Sequence, residues 1–295
     1  MTRPFTERNV PSHDGLRLYL RLYDGPGPGA ATVLCLPGLT RNCRDFEDLA
    51  LHLRTRYRVI TPDLRGRGGS DRDPDPTHYH PATYVQDVLA VLSAVGVDRF
   101  AVIGTSLGGM LAMMLAAMQP TRVAGIVLND VGPEIDPAGA ARIKQYAGLL
   151  PPVQTWADAV AQTQTVYGDA WPGLDPGRWA TLTRRAYRED AAGVPQLDSD
   201  PLIGAALRAA PPSALDLWPL WAALKSMPTL AIRGALSDIL SAATLARMQA
   251  EKPDLRVLEV AHRGHVPLLD EPECLTALDV FLASLAFSPP AASVA

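Results

Sequence analysis

Short apolar runs alternate along the chain with segments whose apolar residues recur at helical spacing. The apolar runs are ATVLCLPG (31–38), YRVITPD (57–63), FAVIGTS (100–106), VAGIVLND (123–130), PTLAIRG (228–234) and LRVLEVA (255–261). Continuous runs of this length are typical of strands that are buried on both faces. Their alternation with helical segments predicts an α/β fold, in which helices cover both faces of a mostly parallel sheet.

An earlier segment has a different pattern. LRLYLRLYD (16–24) alternates apolar and polar residues with a period of two. This pattern is typical of a half-buried strand, so we expect an antiparallel strand at the edge of the sheet.

The strand and helix alternation stops after residue 132. About eighty residues then follow with helical patterns, without a convincing strand, and with an aromatic content that includes Trp156, Trp171 and Trp179. We interpret residues 133–215 as a helical cap inserted into a core formed by residues 1–132 and 216–295. The terminal segment SPPAASVA (288–295) is predicted to be disordered.

Composition narrows the class of protein. The chain has 295 residues, 47% of them hydrophobic, which suits a globular enzyme with one large core domain. Its three cysteines have no regular spacing, which argues against a disulfide framework or a zinc site and favours the cytoplasm. The formal net charge is −4 with both signs interspersed, so no nucleic-acid surface is indicated. The first residues lack the apolar stretch of an export signal, and no run is long enough for a membrane span, so neither export nor membrane insertion is expected.

A single serine stands where the strand FAVIGTS meets a helix, flanked by Gly104 and Gly108. A serine on so sharp a turn crowds its neighbours, and glycines two residues away on either side relieve that crowding. The pattern G-x-S-x-G between a strand and a helix is typical of a nucleophile elbow, which exposes the hydroxyl above the sheet. We therefore predict that Ser106 is a nucleophile.

A serine needs a base to take its proton. His262 and His265 are the two histidines that follow Ser106, and both come after the last apolar run. His265 follows a glycine on the predicted strand-end loop and is the preferred base, while His262 remains an alternative. A metal pair formed by these two histidines is disfavoured, because no acidic or cysteine cluster accompanies them.

A third residue must orient the base. Asp238 follows the strand PTLAIRG through a glycine turn and is the preferred acid. Asp130, at the end of the run VAGIVLND, is the alternative, since it ends the preceding strand.

The oxyanion of an acyl-transfer intermediate needs backbone donors. The residue after the nucleophile, Leu107, is one predicted donor because it opens a helix. The Pro-Gly turn at the end of ATVLCLPG predicts Leu39 as the second.

Five segments in this order resemble the α/β-hydrolase superfamily over nearly the whole chain. They are LPGL (36–39), PDLRGRGGSD (62–71), GTSLGG (104–109), RGALSD (233–238) and GHVPLLDEP (264–272). The resemblance implies an α/β-hydrolase fold with an inserted helical cap. Two departures are Pro37 and Arg67, which stand where many members have histidine. Because Pro37 precedes the oxyanion-loop glycine, support for that loop is expected to differ from that of many relatives. The segment that carries Arg67 is interpreted as a structural loop beside the site.

The serine narrows the activity that the resemblance implies, because relatives that cleave carbon–halogen bonds or epoxides have aspartate at the elbow. We expect a hydrolase of small to medium hydrophobic carboxylic esters, with Ser106, His265 and Asp238 as a triad and with no metal or organic cofactor. Trp156, Trp171 and Trp179 are predicted to line its pocket.

Two other functions stay open on the same fold. One is a carbon–carbon bond (β-diketone) hydrolase or enol-lactonase of aromatic degradation, for which cap arginines could bind a carboxylate; these are Arg178, Arg184, Arg185 and Arg188. The other is a non-catalytic ligand-binding protein. Such a protein is expected to lack a triad member, whereas this chain offers candidates for all three.

Overall fold

An eight-stranded sheet forms the centre of the protein. The computed structural model describes residues 3–210 and 216–287. The strands of the sheet are β1 (Thr6–Pro11), β2 (Arg17–Tyr23), β3 (Thr32–Leu36), β4 (Arg58–Pro62), β5 (Phe100–Thr105), β6 (Val123–Asn129), β9 (Thr229–Gly234) and β10 (Arg256–Val260). Their order is β1-β2-β4-β3-β5-β6-β9-β10, with β1 and β2 antiparallel and the remaining strands parallel. The predicted fold class is confirmed.

Ten α-helices accompany the strands in the described residues. They are α1 (Glu47–Leu53), α2 (Pro81–Ala94), α3 (Leu107–Met118), α4 (Pro137–Tyr146), α5 (Trp156–Tyr167), α6 (Pro176–Ala186), α7 (Leu202–Ala209), α8 (Trp218–Ala223), α9 (Ala242–Glu251) and α10 (Pro272–Ala283). Two 3₁₀ turns, Cys43–Phe46 and Pro76–His78, precede α1 and α2.

Each central strand contributes to two cores. Val102 of β5 packs in the cluster that includes residues of α2, α3 and α9, while the next residue, Ile103, packs in the cluster that includes α1 and α10. Successive side chains of a strand point to opposite faces, so a strand covered on both sides must be apolar throughout. Burying each large apolar side chain contributes about 1.5–3 kcal/mol.

The edge of the sheet differs from the prediction. β2 is antiparallel, as expected, but it pairs with both β1 and β4 and is therefore not an edge strand. β1 takes the edge position, and its sequence TERNVP is mostly exposed. A solvent-facing edge strand needs few apolar residues, so the apolar pattern does not reveal it.

An inserted segment between β6 and α8 contains α4 to α7. It also contains a two-stranded hairpin of β7 (Tyr187–Glu189) and β8 (Pro195–Leu197), so the expectation of no strand there was wrong. Strands of three residues are too short for an apolar period to show. The predicted cap boundary at residue 215 and the predicted disordered tail (288–295) lie outside the described residues.

The helices of the inserted segment begin at polar caps. Asp136 and Asp175 accept hydrogen bonds from first-turn amides of α4 and α6, and a proline follows each as the first helical residue. Thr155 and Asp158 form a reciprocal capping box at the start of α5. These caps satisfy amides that have no partner within the helix. The same residues therefore set where each helix of the segment starts.

Hydrogen bonds attach the inserted segment to loops at the carboxyl ends of the strands. Nδ2 of Asn42 donates to the carbonyl of Arg185 at 2.8 Å, and the amide of Gly264 donates to the carbonyl of Ala170 at 2.7 Å. The segment thus lies over the carboxyl ends of the central strands β3, β5 and β6. No helix in the described parts of the chain has both the length and the apolar character needed to cross a membrane.

Candidate active site

Ser106 lies on a strained turn between β5 and α3. Its φ is 52° and its ψ is −115°, a backbone conformation that L-residues rarely adopt. The turn is tight enough that a Cβ atom on Gly104 would lie 2.2 Å from the carbonyl oxygen of Gly108. A Cβ atom on Gly108 would lie 2.0 Å from the carbonyl oxygen of Leu36. Both positions therefore require glycine, which explains the G-x-S-x-G pattern.

His265 connects the serine to a buried carboxylate. Its Nε2 lies 2.9 Å from Oγ of Ser106, and its Nδ1 lies 2.7 Å from Oδ2 of Asp130. A carboxylate can only accept, so Nδ1 carries the proton and Nε2 is free to accept one from the serine. The exposed alternative, His262, has no such contact in the described structure.

Asp130 is held by further donors. The amide of Gly234 donates to Oδ1 at 2.9 Å, and the hydroxyl of Ser237 donates to Oδ2 at 2.6 Å. The residue is fully buried directly after β6, with a φ of 58°. These contacts fix the carboxylate beside His265.

The structure does not place Asp238 against His265, so the preferred choice of acid is corrected to the alternative. Oδ2 and Oδ1 of Asp238 accept from Nε and Nη2 of Arg142 on α4, at 2.5 Å and 2.8 Å. Strands β6 and β9 are neighbours, so residues after either strand come near the histidine. In the turn after β9 it is Ser237, one residue earlier, that contacts the carboxylate of Asp130.

Arg142 also changes the acidity of Asp238. Partial burial raises the pKa of this carboxyl, but the hydrogen bonds and charge of Arg142 outweigh burial and lower it overall. Asp238 is therefore ionised at neutral pH and pairs α4 with the loop after β9. α4 approaches this loop closely, because a Cβ atom on Gly139 would lie 2.0 Å from the carbonyl oxygen of Asp238.

The two predicted oxyanion donors lie beside the serine. Leu107 is the first residue of α3, and the amides of a first helical turn have no partner within the helix. Leu39 lines the same cavity as Ser106. Leu107 and Leu39 therefore remain the candidate oxyanion donors.

Arg67 holds the loop that carries Leu39. Its side chain is buried, and its Nε donates to the carbonyl oxygen of Leu39 at 2.6 Å. Its other nitrogens donate to the carbonyl of Arg65 and the hydroxyl of Tyr84, and its guanidinium lies over the Tyr84 ring. The sequence marked Arg67 as a departure from the histidine common in relatives, but did not reveal this contact.

A cavity opens above Ser106 between the core loops and the inserted segment. Residues from the core that line it include Gly38, Leu39, Arg41, Asn129, His265 and Leu268, and residues from the inserted segment include Ile143, Tyr146, Tyr167, Trp171, Arg178, Leu182 and Arg185. The apolar and aromatic members outnumber the charged ones, as expected for a small-molecule site.

Only one of the three predicted tryptophans lines this cavity in the described structure. Trp171 does so, and its Nε1 donates to the carbonyl of Val266 at 2.7 Å. The prediction for the other two was wrong. Trp179 packs behind Trp171 with ring centroids 5.7 Å apart, and Trp156 bonds to Glu189 at the surface. A helical pattern of apolar residues indicates which side chains are buried, but it does not indicate which residues each side chain contacts.

Two groups of histidine and aspartate side chains come close enough together to be considered as metal ligands. They are His13, Asp14 and Asp87, and Asp14, Asp73 and His78. The guanidinium of buried Arg65 lies among them and forms ion pairs with all three aspartates. This arginine already supplies the positive charge that these carboxylates need, and none of these residues lines the Ser106 cavity.

The fold is that of the α/β class of hydrolases. A family model described as the alpha/beta hydrolase fold matches residues 31–272, and the chain belongs to this family. Its relatives are hydrolases as well, and the chain is an enzyme of the same kind.

Two named hydrolases and one crystal structure are similar to this chain over most of its length. The chain is 33% identical over 249 residues to the 3-hydroxybutyrate-oligomer hydrolase of Cupriavidus necator, a match that covers 81% of this chain and 84% of the relative. It is 29% identical over 243 residues to the 2-(acetamidomethylene)succinate hydrolase of Mesorhizobium japonicum, with 82% of each chain covered. A crystal structure of an alpha/beta hydrolase from Novosphingobium aromaticivorans is 44% identical, with a TM-score of 0.90 over 96% of this chain and 99% of that chain.

Proposed function

We propose that this enzyme hydrolyses small to medium carboxylic esters through a triad of Ser106, His265 and Asp130. The observation that carries the proposal is the pair of contacts made by His265, 2.9 Å to Oγ of Ser106 and 2.7 Å to Oδ2 of Asp130. A base placed between a nucleophile and an orienting carboxylate is the arrangement that activates a serine hydroxyl.

Acylation begins when His265 takes the proton of Ser106 at Nε2 and Oγ attacks the acyl carbon. The ester carbonyl oxygen becomes an oxyanion, to which the amides of Leu39 and Leu107 donate hydrogen bonds. The intermediate collapses with cleavage of the bond to the alcohol oxygen, which receives the proton from His265. An acyl-serine and a free alcohol result.

Deacylation repeats these steps with water. His265 accepts a proton from water as the water oxygen attacks the acyl carbon, and the bond to Oγ of Ser106 then breaks. The proton returns to Oγ and the carboxylic acid leaves. Throughout, Asp130 accepts the hydrogen bond of Nδ1 and stabilises the imidazolium that forms at each attack.

The inserted segment supports a limit on substrate size. We propose that residues 133–215 act as a cap, because side chains of α4, α5 and α6 cover the cavity above Ser106. Aromatic side chains at this place restrict the length of chain that can reach the serine. An ester is also the linkage that joins hydroxy acids in an oligomer, and the Cupriavidus necator relative is named for hydrolysis of such an oligomer.

The test is a panel of p-nitrophenyl esters of rising acyl length, with an enol-lactone and a β-diketone beside them. We expect turnover of short and medium esters and labelling of Ser106 by a fluorophosphonate probe. Ser106→Ala is expected to abolish labelling and to lower activity about 10⁶-fold. Turnover of the diketone with none of the esters would favour carbon–carbon bond hydrolysis over ester hydrolysis. Full ester hydrolysis by Ser106→Ala would rule out Ser106 as the nucleophile.

A further inference from the structure

One wall of the cavity carries the guanidinium of Arg41, and not all of its N–H groups have a carboxylate or carbonyl acceptor in the described residues. Arg41 donates from Nε and Nη2 to the carboxylate of Asp45, at 2.7 Å and 2.6 Å. Its Nη1 donates to no carboxylate or carbonyl among the described residues. A guanidinium presents five N–H donors, so Asp45 leaves part of this one available.

Two phenols stand beside Arg41. Tyr146 and Tyr167 line the cavity with it, and their rings meet edge to face with centroids 6.2 Å apart. In the described part of the chain, neither hydroxyl is bonded to a carboxylate or carbonyl. Burial raises the pKa of Tyr146, and the neighbouring Tyr167 hydroxyl raises it further, so this phenol keeps its proton at neutral pH and interacts with Tyr167. Arg41, Tyr146 and Tyr167 are called the donor cluster below.

The donor cluster faces the same space as the nucleophile. A Cβ atom on Gly38 would lie 3.7 Å from Cγ of Arg41 and 3.8 Å from Cβ of Ser106. Arg41 and Ser106 therefore flank the same stretch of the oxyanion loop. Both residues line one cavity, so a ligand group bound by Arg41 and the scissile carbonyl would occupy the same space.

The other arginines of the cavity are engaged differently. Arg178 donates to the carboxylates of both Asp48 and Asp270, and Arg185 pairs with Asp48 as well. Two carboxylates thus balance these two cations. Arg41 is also balanced by one carboxylate, that of Asp45, which lines the cavity with it. What distinguishes Arg41 from the other two arginines is its place beside the two phenols, at the wall shared with a second cavity.

The donor cluster also separates two cavities. Behind the Ser106 cavity lies a second, smaller one that shares Thr40, Arg41, Tyr146 and Tyr167 with it. Side chains and backbone of the inserted segment, including Thr163 and Tyr187, close its far side.

We propose that the donor cluster binds a carboxylate on the substrate, so that the enzyme prefers short esters with a free acid at the end away from the scissile bond. A planar guanidinium and two phenols supply donors that match carboxylate oxygens. The inference rests on the proposed ester hydrolysis at Ser106 and specifies which esters that site takes.

The test compares two substrates that differ only in charge, 3-acetyloxybutanoate and its amide, 3-acetyloxybutanamide. Each has a single ester bond, and acetate release is measured for both. We expect kcat/KM to be about 10- to 100-fold higher for the acid, the range that charged hydrogen bonds provide. Butanoate is expected to inhibit hydrolysis of p-nitrophenyl acetate, and butanamide is not.

Variants locate the effect. Arg41→Gln is expected to bring the acid-to-amide ratio close to one, and Arg41→Lys to keep part of it. Tyr167→Phe, which retains the ring, should lower the ratio by a smaller factor. Arg184→Gln is the matched control, because Arg184 is exposed on α6 over the Trp156 ring and lines neither cavity. It is expected to leave the ratio unchanged.

Three results would overturn the inference. One is a wild-type ratio near one, and another is an unchanged ratio in Arg41→Gln or, if that variant does not fold, an unchanged ratio in both Arg41→Lys and Tyr167→Phe. Turnover of neither substrate would also overturn it. Hydrolysis of p-nitrophenyl acetate in the same preparation then shows whether the proposed function still stands.

Discussion

Asp130 accepts a hydrogen bond from Nδ1 of His265 at 2.7 Å, although 135 positions separate the two residues along the chain. The aspartate follows β6 and the histidine follows β10, two strands that are not neighbours. β9 lies between them, and Gly234 at its end and Ser237 in the turn that follows donate to the same carboxylate. Three strand ends thus build one hydrogen-bonded unit around the base.

Changing Asp130 or Asp238 to asparagine tests which of the two aspartates orients His265. Asp130→Asn is expected to lower kcat about 10⁴-fold, because an asparagine amide favours the wrong tautomer of His265 and cannot stabilise its charged form. Asp238→Asn should lower kcat far less, since Asp238 bonds to Arg142 instead. Steady-state kinetics with p-nitrophenyl acetate and circular dichroism of both variants give the comparison. A larger loss in Asp238→Asn would return the role to that residue.

Arg67 is expected to act on the reaction by positioning Leu39. Arg67→Lys removes the bond from Nε to the Leu39 carbonyl while keeping a positive charge. Loss of a whole oxyanion donor costs about 10²–10³ in kcat, so a displaced one should cost about 10- to 100-fold with a smaller change in KM. Exposed Arg72, changed to Gln, is the control for charge near this loop. An unaltered kcat in folded Arg67→Lys would rule out a positioning role.

Trp171 and Trp179 offer a matched pair for the cavity wall. Both are buried in one cluster, but Trp171 alone of the two lines the cavity in the described structure. Trp171→Leu should shift the acyl-length optimum toward longer esters because it enlarges the cavity. Trp179→Leu should lower the free energy of unfolding, by up to about 3–5 kcal/mol, and leave the optimum in place. The two measurements are the p-nitrophenyl ester profile and urea unfolding; equal profiles for both variants would contradict the assignment.

The Arg142–Asp238 pair is expected to stabilise the protein in a pH-dependent way. The pKa of Asp238 is lowered from its ordinary value of 3.8, so the pair contributes fully above that value and the contribution is lost as pH falls through the lowered pKa. Both side chains are about one-third exposed, which limits the coupling to about 0.2–1 kcal/mol.

A double-mutant cycle of Arg142→Gln and Asp238→Asn, followed by urea unfolding, measures this coupling. It should be present near neutral pH and decrease in acid. A coupling that grows on acidification would show that the sign is wrong.

The sequence by itself determined the alternation of strands and helices and the turn at Ser106. These features depend on local rules, since a strand buried on both faces is apolar throughout and a sharp turn between Gly104 and Gly108 excludes side chains. Each rule can be applied within a window of a few residues.

The tertiary structure alone decided which acid faces His265, which tryptophan reaches the cavity and which arginine holds Leu39. Asp130 and Asp238 both follow strands, and those strands are adjacent in the sheet, so the order of residues leaves either one within reach. The choice depends on how the turn after β9 directs Ser237 toward Asp130 and on how α4 brings Arg142 to Asp238. Such contacts join residues about a hundred positions apart, and a local apolar pattern carries no information about them.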